Sequence, residues 1–474
     1  MSTLAPIRVA PGGRYFETFD NQPFLFIGAN DAVPWPGLEG LYRRRDLDGV
    51  DAYLHGLADS GVTVLRLMLE YAHREGRYFE RPAGRFNPAM VRLWDDLFAR
   101  CEQHGLRVLL APWDNFWMSR RWNRHPYNRE NGGPAVSSHS FFTDDAVIDA
   151  TINRLRFVVE RWGGSGVLAA WDLFNEIHPY WGGTPAQQGD VIARISDAIR
   201  AAEETAWGFS RPQTVSVFGP DPGPDYEDLI FRHPGLDFAT THIYQGAIDY
   251  PGDTVSPALE MANWVRFALA RTPPGRPFTD SEHGPIHLFN DHRKTLPEDF
   301  DDEYERHLMW AHLATGGAGS GMRWPARHPH VLTPGMLQAL RGLSAFTRLI
   351  DWRHFTPRDA SADVCVGGAP HVYAFGCHDG RQAVLWLLRD RPAGHAGPLP
   401  ARSPLHDVPL SLRGLVPGTY HVDLWNTIEA RAGGCVGAEV AEDGTLRIVL
   451  PMLGNDLALA VRRIDDRIDV RFRF

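Results

Sequence analysis

Two spacings of apolar residues alternate along the first 350 positions. Short aliphatic and β-branched runs, the mark of buried strands, are separated by stretches in which apolar side chains recur every three or four residues, the mark of helices. Tyr15–Phe19, the Asp20-Asn21 turn and Phe24–Asn30 read as a hairpin whose second arm enters the body as a first core strand. Asp46–Ala58 follows with helical spacing and an acidic first turn, and Val62–Met68 is the next apolar run after Gly61. The step then repeats. Asn87-Pro88 reads as an N-cap with proline at the first helical position. It opens a helix through Met90, Leu93, Trp94 and Phe98, which leads past Gly105 to the strand Arg107–Pro112.

A long loop rich in Trp, Asn and Pro spans 113–142, and Thr143-Asp144 opens a helix that ends near Trp162. The run Ala169-Ala170-Trp171-Asp172-Leu173-Phe174-Asn175-Glu176 is a buried strand that ends on an amide and a carboxylate. Beyond it the pattern predicts a helix within 186–207, strands at 213–218 and 236–244, a helix at 256–271, a strand leading to Glu282, a helix at 302–315 and a strand at 319–324. Thr333-Pro334 caps a final helix. Eight strands result, starting near residues 24, 62, 107, 167, 213, 236, 277 and 319. Eight alternating units predict an α/β fold, a closed (β/α)8 TIM barrel, whose functional groups collect at the C-terminal ends of the strands. An open doubly wound sheet is the rival, but the first strand–helix turn has no GxGxxG phosphate loop.

After residue 350 short strands take over, at 364–366, 372–375, 382–388, 418–425, 446–450 and 457–461, separated by Gly, Pro and Asp turns. They predict a small antiparallel β-sandwich. The expected division is 1–350 for barrel and N-terminal hairpin and 351–474 for the sandwich, an accessory domain packed on the barrel.

Charge narrows the partners. A net charge of −10 offers no basic field for nucleic acid or an anionic membrane, and favours a neutral substrate. The first residues lack the basic start and apolar core of a secretory signal, and no stretch is long and apolar enough to span a bilayer. Cys101, Cys365, Cys377 and Cys435 show no CxxC spacing and read as thiols in a reducing compartment, so a cytoplasmic location is expected. The 15 tryptophans suit a site for sugars, whose C–H faces pack on aromatic rings, although most will serve the core.

The strand ends carry the candidate chemistry. A carboxylate directly after a buried strand is costly unless it is paired or used, and Glu176 and Glu282 both stand there. Paired carboxyl groups across a barrel mouth can perform glycoside hydrolysis, with a separation of about 5–5.5 Å in retaining enzymes. Asn175-Glu176 after the fourth strand, Glu282 after the seventh, Arg66 in the second, His242 and Tyr244 at the sixth and Trp324 at the eighth together resemble clan A retaining glycoside hydrolases, most similar to family 5, over residues 20–350. The resemblance implies that Glu176 is the general acid/base and Glu282 the nucleophile. It implies that Asn175 bonds the sugar 2-hydroxyl, that Arg66 and Tyr244 orient Glu282, that His242 lines the same wall, and that Trp324 is the platform under the sugar.

The third strand ends Trp113-Asp114-Asn115-Phe116-Trp117, where many members of the family are richer in histidine. Trp113, Asp114, Trp117 and Glu70, with Trp35, Trp181 and His283, are candidates to contact the remaining hydroxyls. The loop at 113–142 is long enough to wall off one end of the cleft, and within the family these features point to β-mannosidase-like exo action on short oligosaccharides. Endo-β-mannanase or endo-β-glucanase action, a β-glucosidase-type activity and a non-catalytic carbohydrate-binding barrel are the alternatives. No cofactor is expected. Asp114, His125, His242, Glu282 and His283 could surround an ion, but no HExxH-like spacing supports a metal site.

Overall fold

A computed structural model describes residues 4–72, 77–177, 181–247, 252–286, 295–368 and 371–464. Barrel strands β1 (Phe26–Asp31), β2 (Val64–Met68), β3 (Arg107–Ala111), β4 (Leu168–Asp172), β5 (Gln213–Thr214), β6 (His242–Ala247), β7 (Glu282–Ile286) and β8 (Gly319–Arg323) form one parallel sheet in the order β5-β4-β3-β2-β1-β8-β7-β6. Two backbone bonds, Asp237 N–H to Gln213 O at 2.8 Å and His242 N–H to Val217 O at 3.0 Å, close it into a barrel. The outer helices are α1 (Leu47–Asp59), α2 (Pro88–Gln103), α3 (Asp145–Trp162), α4 (Pro185–Trp207), α5 (Pro224–Glu227), α6 (Val255–Arg271), α7 (Glu298–Ala314) and α8 (Pro334–Thr347).

The expected caps form: Asn87 accepts from Ala89 N–H, Asp144 from Ala146 N–H and Thr333 from Met336 N–H, each satisfying a donor that the first helical turn leaves free. Strand β5 is shorter than the expected 213–218. Past Thr214 the backbone still pairs, Ser216 N–H with Phe174 O at 3.3 Å and Ile177 N–H with Ser216 O at 2.7 Å, while the Ser216 hydroxyl accepts from Glu176 N–H at 3.1 Å. The weakly patterned segment before β6 holds α5, which continues as a π-helical turn over Asp228–Arg232.

The C-terminal region is an antiparallel sandwich, as expected. One sheet orders Arg358–Asp359, Val372–His378, Gln382–Arg389, Asp456–Arg463, Gly418–Asn426 and Arg431–Val440; the other orders Val364–Val366, Leu405–Arg413 and Thr445–Leu453. Three strands escaped the sequence reading, the shortest being Arg358–Asp359. Leu405–Arg413, the middle strand of its sheet, carries Pro409 within its ladder, and Arg431–Val440 is a largely exposed edge strand containing Gly433, Gly434 and Gly437. Edge strands tolerate residues that central strands do not.

The two regions share a core. Phe375, Trp386 and Trp425 of the sandwich belong to the same buried cluster as Trp310 and Phe346 of the barrel helices, and the Phe346 and Trp425 rings meet at 6.1 Å. Beside this contact Arg306 of α7 pairs with Asp456 and donates to Thr427 Oγ1 at 2.8 Å. Burial works against the Asp456 carboxylate, yet Arg306, His307 and Thr427 hold it well below the usual range. Replacing Arg306 with Met leaves that charge buried without its cation. The variant should lose about 3–5 kcal/mol of stability, read as a lower urea midpoint, and adding Asp456→Asn should restore part of the loss.

Candidate active site

The mouth of the barrel is organised by the Arg66 guanidinium on β2, which is fully buried. Nη1 donates to Glu282 Oε1 at 2.5 Å and to Asn30 Oδ1 at 2.9 Å; Nη2 donates to Asp172 Oδ2 at 2.6 Å and to Asn175 Oδ1 at 2.7 Å. Burial alone would weaken this cation, but Asp172 and Glu282 hold its pKa above the ordinary arginine value. The other oxygen of Glu282 accepts from the Tyr244 hydroxyl. A guanidinium and a phenol thus hold the Glu282 carboxyl group from two sides.

Glu176 receives no such clamp. Its backbone adopts φ +51°, in the left-handed region that non-glycine residues seldom occupy. That turn is held by four bonds: Glu176 N–H to Ser216 Oγ, Asn175 N–H to Trp113 O, and the Asn115 amide and Trp181 indole to Glu176 O. The Glu176 side chain, 17% exposed, meets His242 Nδ1 at 2.9 Å. Burial pushes its pKa up to about 7, with Arg66 opposing and Asp172 reinforcing the shift. His242 is pushed down to about 4 by burial against the pull of Glu282, so a neutral imidazole stands between the two glutamates, its Nδ1 also 3.4 Å from Glu282 Oε2. A His242 ring nitrogen and one carboxylate oxygen from each glutamate lie within 4.8 Å of one another.

A cavity of about 270 Å³ opens over these groups. Glu176, Glu282, Asn175, Tyr244, Trp324, Asp114 and Trp117 line it, as expected, and so do Met68, Tyr71, Phe116, Arg120, Phe218, Pro285 and His330, which the sequence reading did not single out. Phe116 and Arg120 come from a short helix, Asn115–Arg120, inside the long β3 loop. Tyr71, which follows Glu70 directly after β2, and Phe116, between the candidates Asp114 and Trp117, carried a signal. Asp114 N-caps that short helix, and burial reinforced by Glu176 pushes its pKa up to about 7.

Other expected contacts fall elsewhere. Trp35 stands behind Trp324, with ring centroids 5.1 Å apart, and supports it. Trp113 is buried against Tyr127, Phe141 and the Arg154 guanidinium, and Glu70 faces Arg154 and Phe79 N–H; both serve the packing of the β3 loop and not the cavity. Trp181 lies in the Phe141–Phe174 cluster and reaches the site through the Glu176 carbonyl. His283 points away from the cavity, with Nδ1 2.7 Å from Asp280 and Nε2 3.1 Å from Glu305 of α7. Alternation along a strand explains this: with Glu282 facing the mouth, its neighbour faces the helices. Gly321 permits the close fit, since a Cβ there would meet Asp280 Oδ1 at 2.0 Å.

No protein-family model matches the chain. Over 216 residues it is 28% identical to mannan endo-1,4-beta-mannosidase 7 of Arabidopsis thaliana, covering 41% of this chain and 48% of that protein. Over 294 residues it is 26% identical to mannan endo-1,4-beta-mannosidase A of Podospora anserina, covering 56% and 70%. The chain thus spans about half the length of several curated relatives that it matches. A family 5 glycoside hydrolase from Bacteroides vulgatus superposes with a TM-score of 0.62 at 12% identity over 98% of this chain and 95% of that one. The family 5 mannosidase from Rhizomucor miehei gives 0.52 at 14% identity over 73% and 98%. The fold is shared with these family 5 glycoside hydrolases. Together with the sequence similarity to curated mannan endo-beta-mannosidases, it supports the family 5 resemblance carried by the strand-end residues.

The buried His283 network yields a stability test. Burial opposes its charge, but Glu305 and Asp280 raise its pKa from 6.5 to about 9. A folded value above the unfolded one stabilises the protein fully below about pH 6.5, and that contribution is lost as pH rises through about 9. His283→Gln should therefore lower the denaturation midpoint most near pH 6 and least near pH 10. An equal loss at both would remove the charged imidazole from this account.

Proposed function

We propose that the protein is a retaining glycoside hydrolase acting on β-mannosides by double displacement. The observation that carries this reading is the opposite treatment of two neighbouring carboxyl groups, one clamped as a carboxylate by Arg66 and Tyr244, the other poised to hold a proton near neutral pH. Their approach to within 4.8 Å suits attack by one and protonation by the other on the same bond. The (β/α)8 fold of family 5 enzymes and the names of the curated relatives support the substrate class.

In the first step a Glu282 oxygen attacks the anomeric carbon while Glu176 gives its proton to the departing glycosidic oxygen. In the second, Glu176 takes a proton from water, which displaces Glu282 and leaves the anomeric configuration unchanged overall. Asn175, its Oδ1 held by Arg66, presents Nδ2 to the 2-hydroxyl, a contact that strengthens as positive charge develops at the ring. Trp324, braced by Trp35 and by Tyr71 at 5.6 Å, offers a face for the sugar in the cavity. Phe116, Trp117 and Arg120 of the short helix in the β3 loop line that cavity; a loop of this length can limit the cleft to a chain end, which favours exo action on short oligosaccharides. Endo action is the second reading, favoured by the names of the curated relatives.

Glu282→Gln and Glu176→Gln should each lower kcat on a β-mannoside by about a thousandfold or more. Proton NMR of the wild-type reaction should show the β-anomer released first; initial α-product would overturn the double displacement. Because the acid must carry its proton, kcat/KM should fall as pH rises through about 7, and that limb should vanish in Glu176→Gln. Mannopentaose should release mannose from the first time points, whereas early mannobiose and mannotriose without mannose would establish endo action.

A further inference from the structure

Phe218 lines the catalytic cavity and is 47% exposed. Other large apolar side chains with comparable exposure among the described residues, such as Trp207 and Val449, lie outside that cavity. A single exposed apolar residue is ordinary on a protein surface, but a phenylalanine open to a cavity presents its ring to whatever enters. The Phe218 ring lies with its centroid 6.1 Å from that of Tyr244 and its plane tilted by 30°, beside the phenol that holds Glu282.

The backbone leading to Phe218 is fixed on both flanks. Val217 O accepts from His242 N–H at 3.0 Å on the β6 side. On the β4 side the Ser216 hydroxyl accepts from Glu176 N–H at 3.1 Å, and Ser216 O accepts from Ile177 N–H at 2.7 Å. Phe218 therefore keeps a set position two residues from the group that holds the Glu176 turn.

Position around the barrel decides which sugar meets this ring. Trp324 follows β8 and Phe218 follows β5, three strands away in the closed sheet, with Glu282 on β7 and Tyr244 on β6 between them. Glu176 follows β4, the neighbour of β5. A sugar resting on Trp324 offers its anomeric carbon to Glu282, and the oxygen that leaves must meet Glu176. The departing sugar thus lies on the Glu176 side, where Phe218 stands. Phe116 and Trp117 also line the cavity, but each already carries a guanidinium over its ring, Arg120 at 4.2 Å and Arg121 at 4.5 Å.

Resting on the mannoside reading above, we propose that Phe218 is a specificity-determining residue for the leaving group, a flat platform on which a C–H face of the departing sugar packs. Covering the exposed ring removes apolar surface from water while that sugar is bound. The gain therefore belongs to the first displacement, and is absent when water attacks the glycosyl-enzyme after the sugar has left.

β-Mannosyl fluoride has the same cleaved sugar and no sugar on the leaving side, so kcat/KM for mannobiose divided by kcat/KM for the fluoride isolates this contact. Phe218→Ala should lower that ratio by about tenfold, and Phe218→Trp should hold it within about threefold of wild type. Phe218→Leu keeps an apolar side chain without a flat face, and its ratio should stay near that of the alanine variant. The ratio cancels any change in the fraction of folded enzyme, so a destabilised variant still reports. An alanine variant with the wild-type ratio would overturn the proposal, as would a leucine variant that matches wild type. Wild-type cleavage of β-glucosyl fluoride but not of β-mannosyl fluoride would sink the mannoside reading alone, and the same ratio would then be taken with cellobiose.

Discussion

Everything at the barrel mouth depends on one buried cation. Arg66 reaches both carboxylates of its immediate shell, Asp172 and Glu282, and the amide oxygens of Asn30 and Asn175. Burying a guanidinium with so little water is tolerable only because each edge of its planar fork meets an acceptor. The arrangement binds β1, β2, β4 and β7 to a single point. Asn30 in turn donates to the carbonyls of Ser281 and Met322, so β7 and β8 are registered against the same cation.

The second consequence of Arg66 is asymmetry. Its charge is divided between Glu282, which it holds directly, and Asp172, which offsets it from the other side. Glu176 thus sits near a cation whose influence Asp172 has partly cancelled, and burial can keep its proton on at neutral pH. A neutral His242 between the two carboxyl groups adds no charge to either.

Most of the barrel and the reacting pair were legible because each depends on local pattern. The alternation of strand and helix patterns marked all eight strands, and two glutamates expected at strand ends stood out as charges that needed a reason, although Glu282 opens β7 instead of following it. Side-chain direction was less legible. Glu282 and His283 are adjacent in sequence but face opposite sides of β7, and only the packing of α7 against the barrel shows that His283 belongs to the outer layer. Trp35, Trp113 and Trp181 share the chemistry of Trp324, yet a tryptophan supporting a site and one lining it have the same sequence signature. Phe116 and Arg120 lie on a helix of six residues, too short for a periodic signal, and His330 lies on an irregular segment, so the pattern did not assign them to the mouth. The sandwich strand Leu405–Arg413 was obscured by Pro409 and the edge strand Arg431–Val440 by its glycines, residue types that normally mark turns.

Helix α7 links distant parts of the molecule. Through Arg306 it is fastened to Asp456 and Thr427 of the sandwich; through the preceding residue, Glu305, it holds His283, whose backbone neighbour is Glu282. The C-terminal sheet is therefore a splint, bracing from outside the helix that steadies the strand bearing one of the two glutamates. A chain cut at residue 350 would keep every group at the mouth of the barrel and lose the outer support that keeps one of them in place.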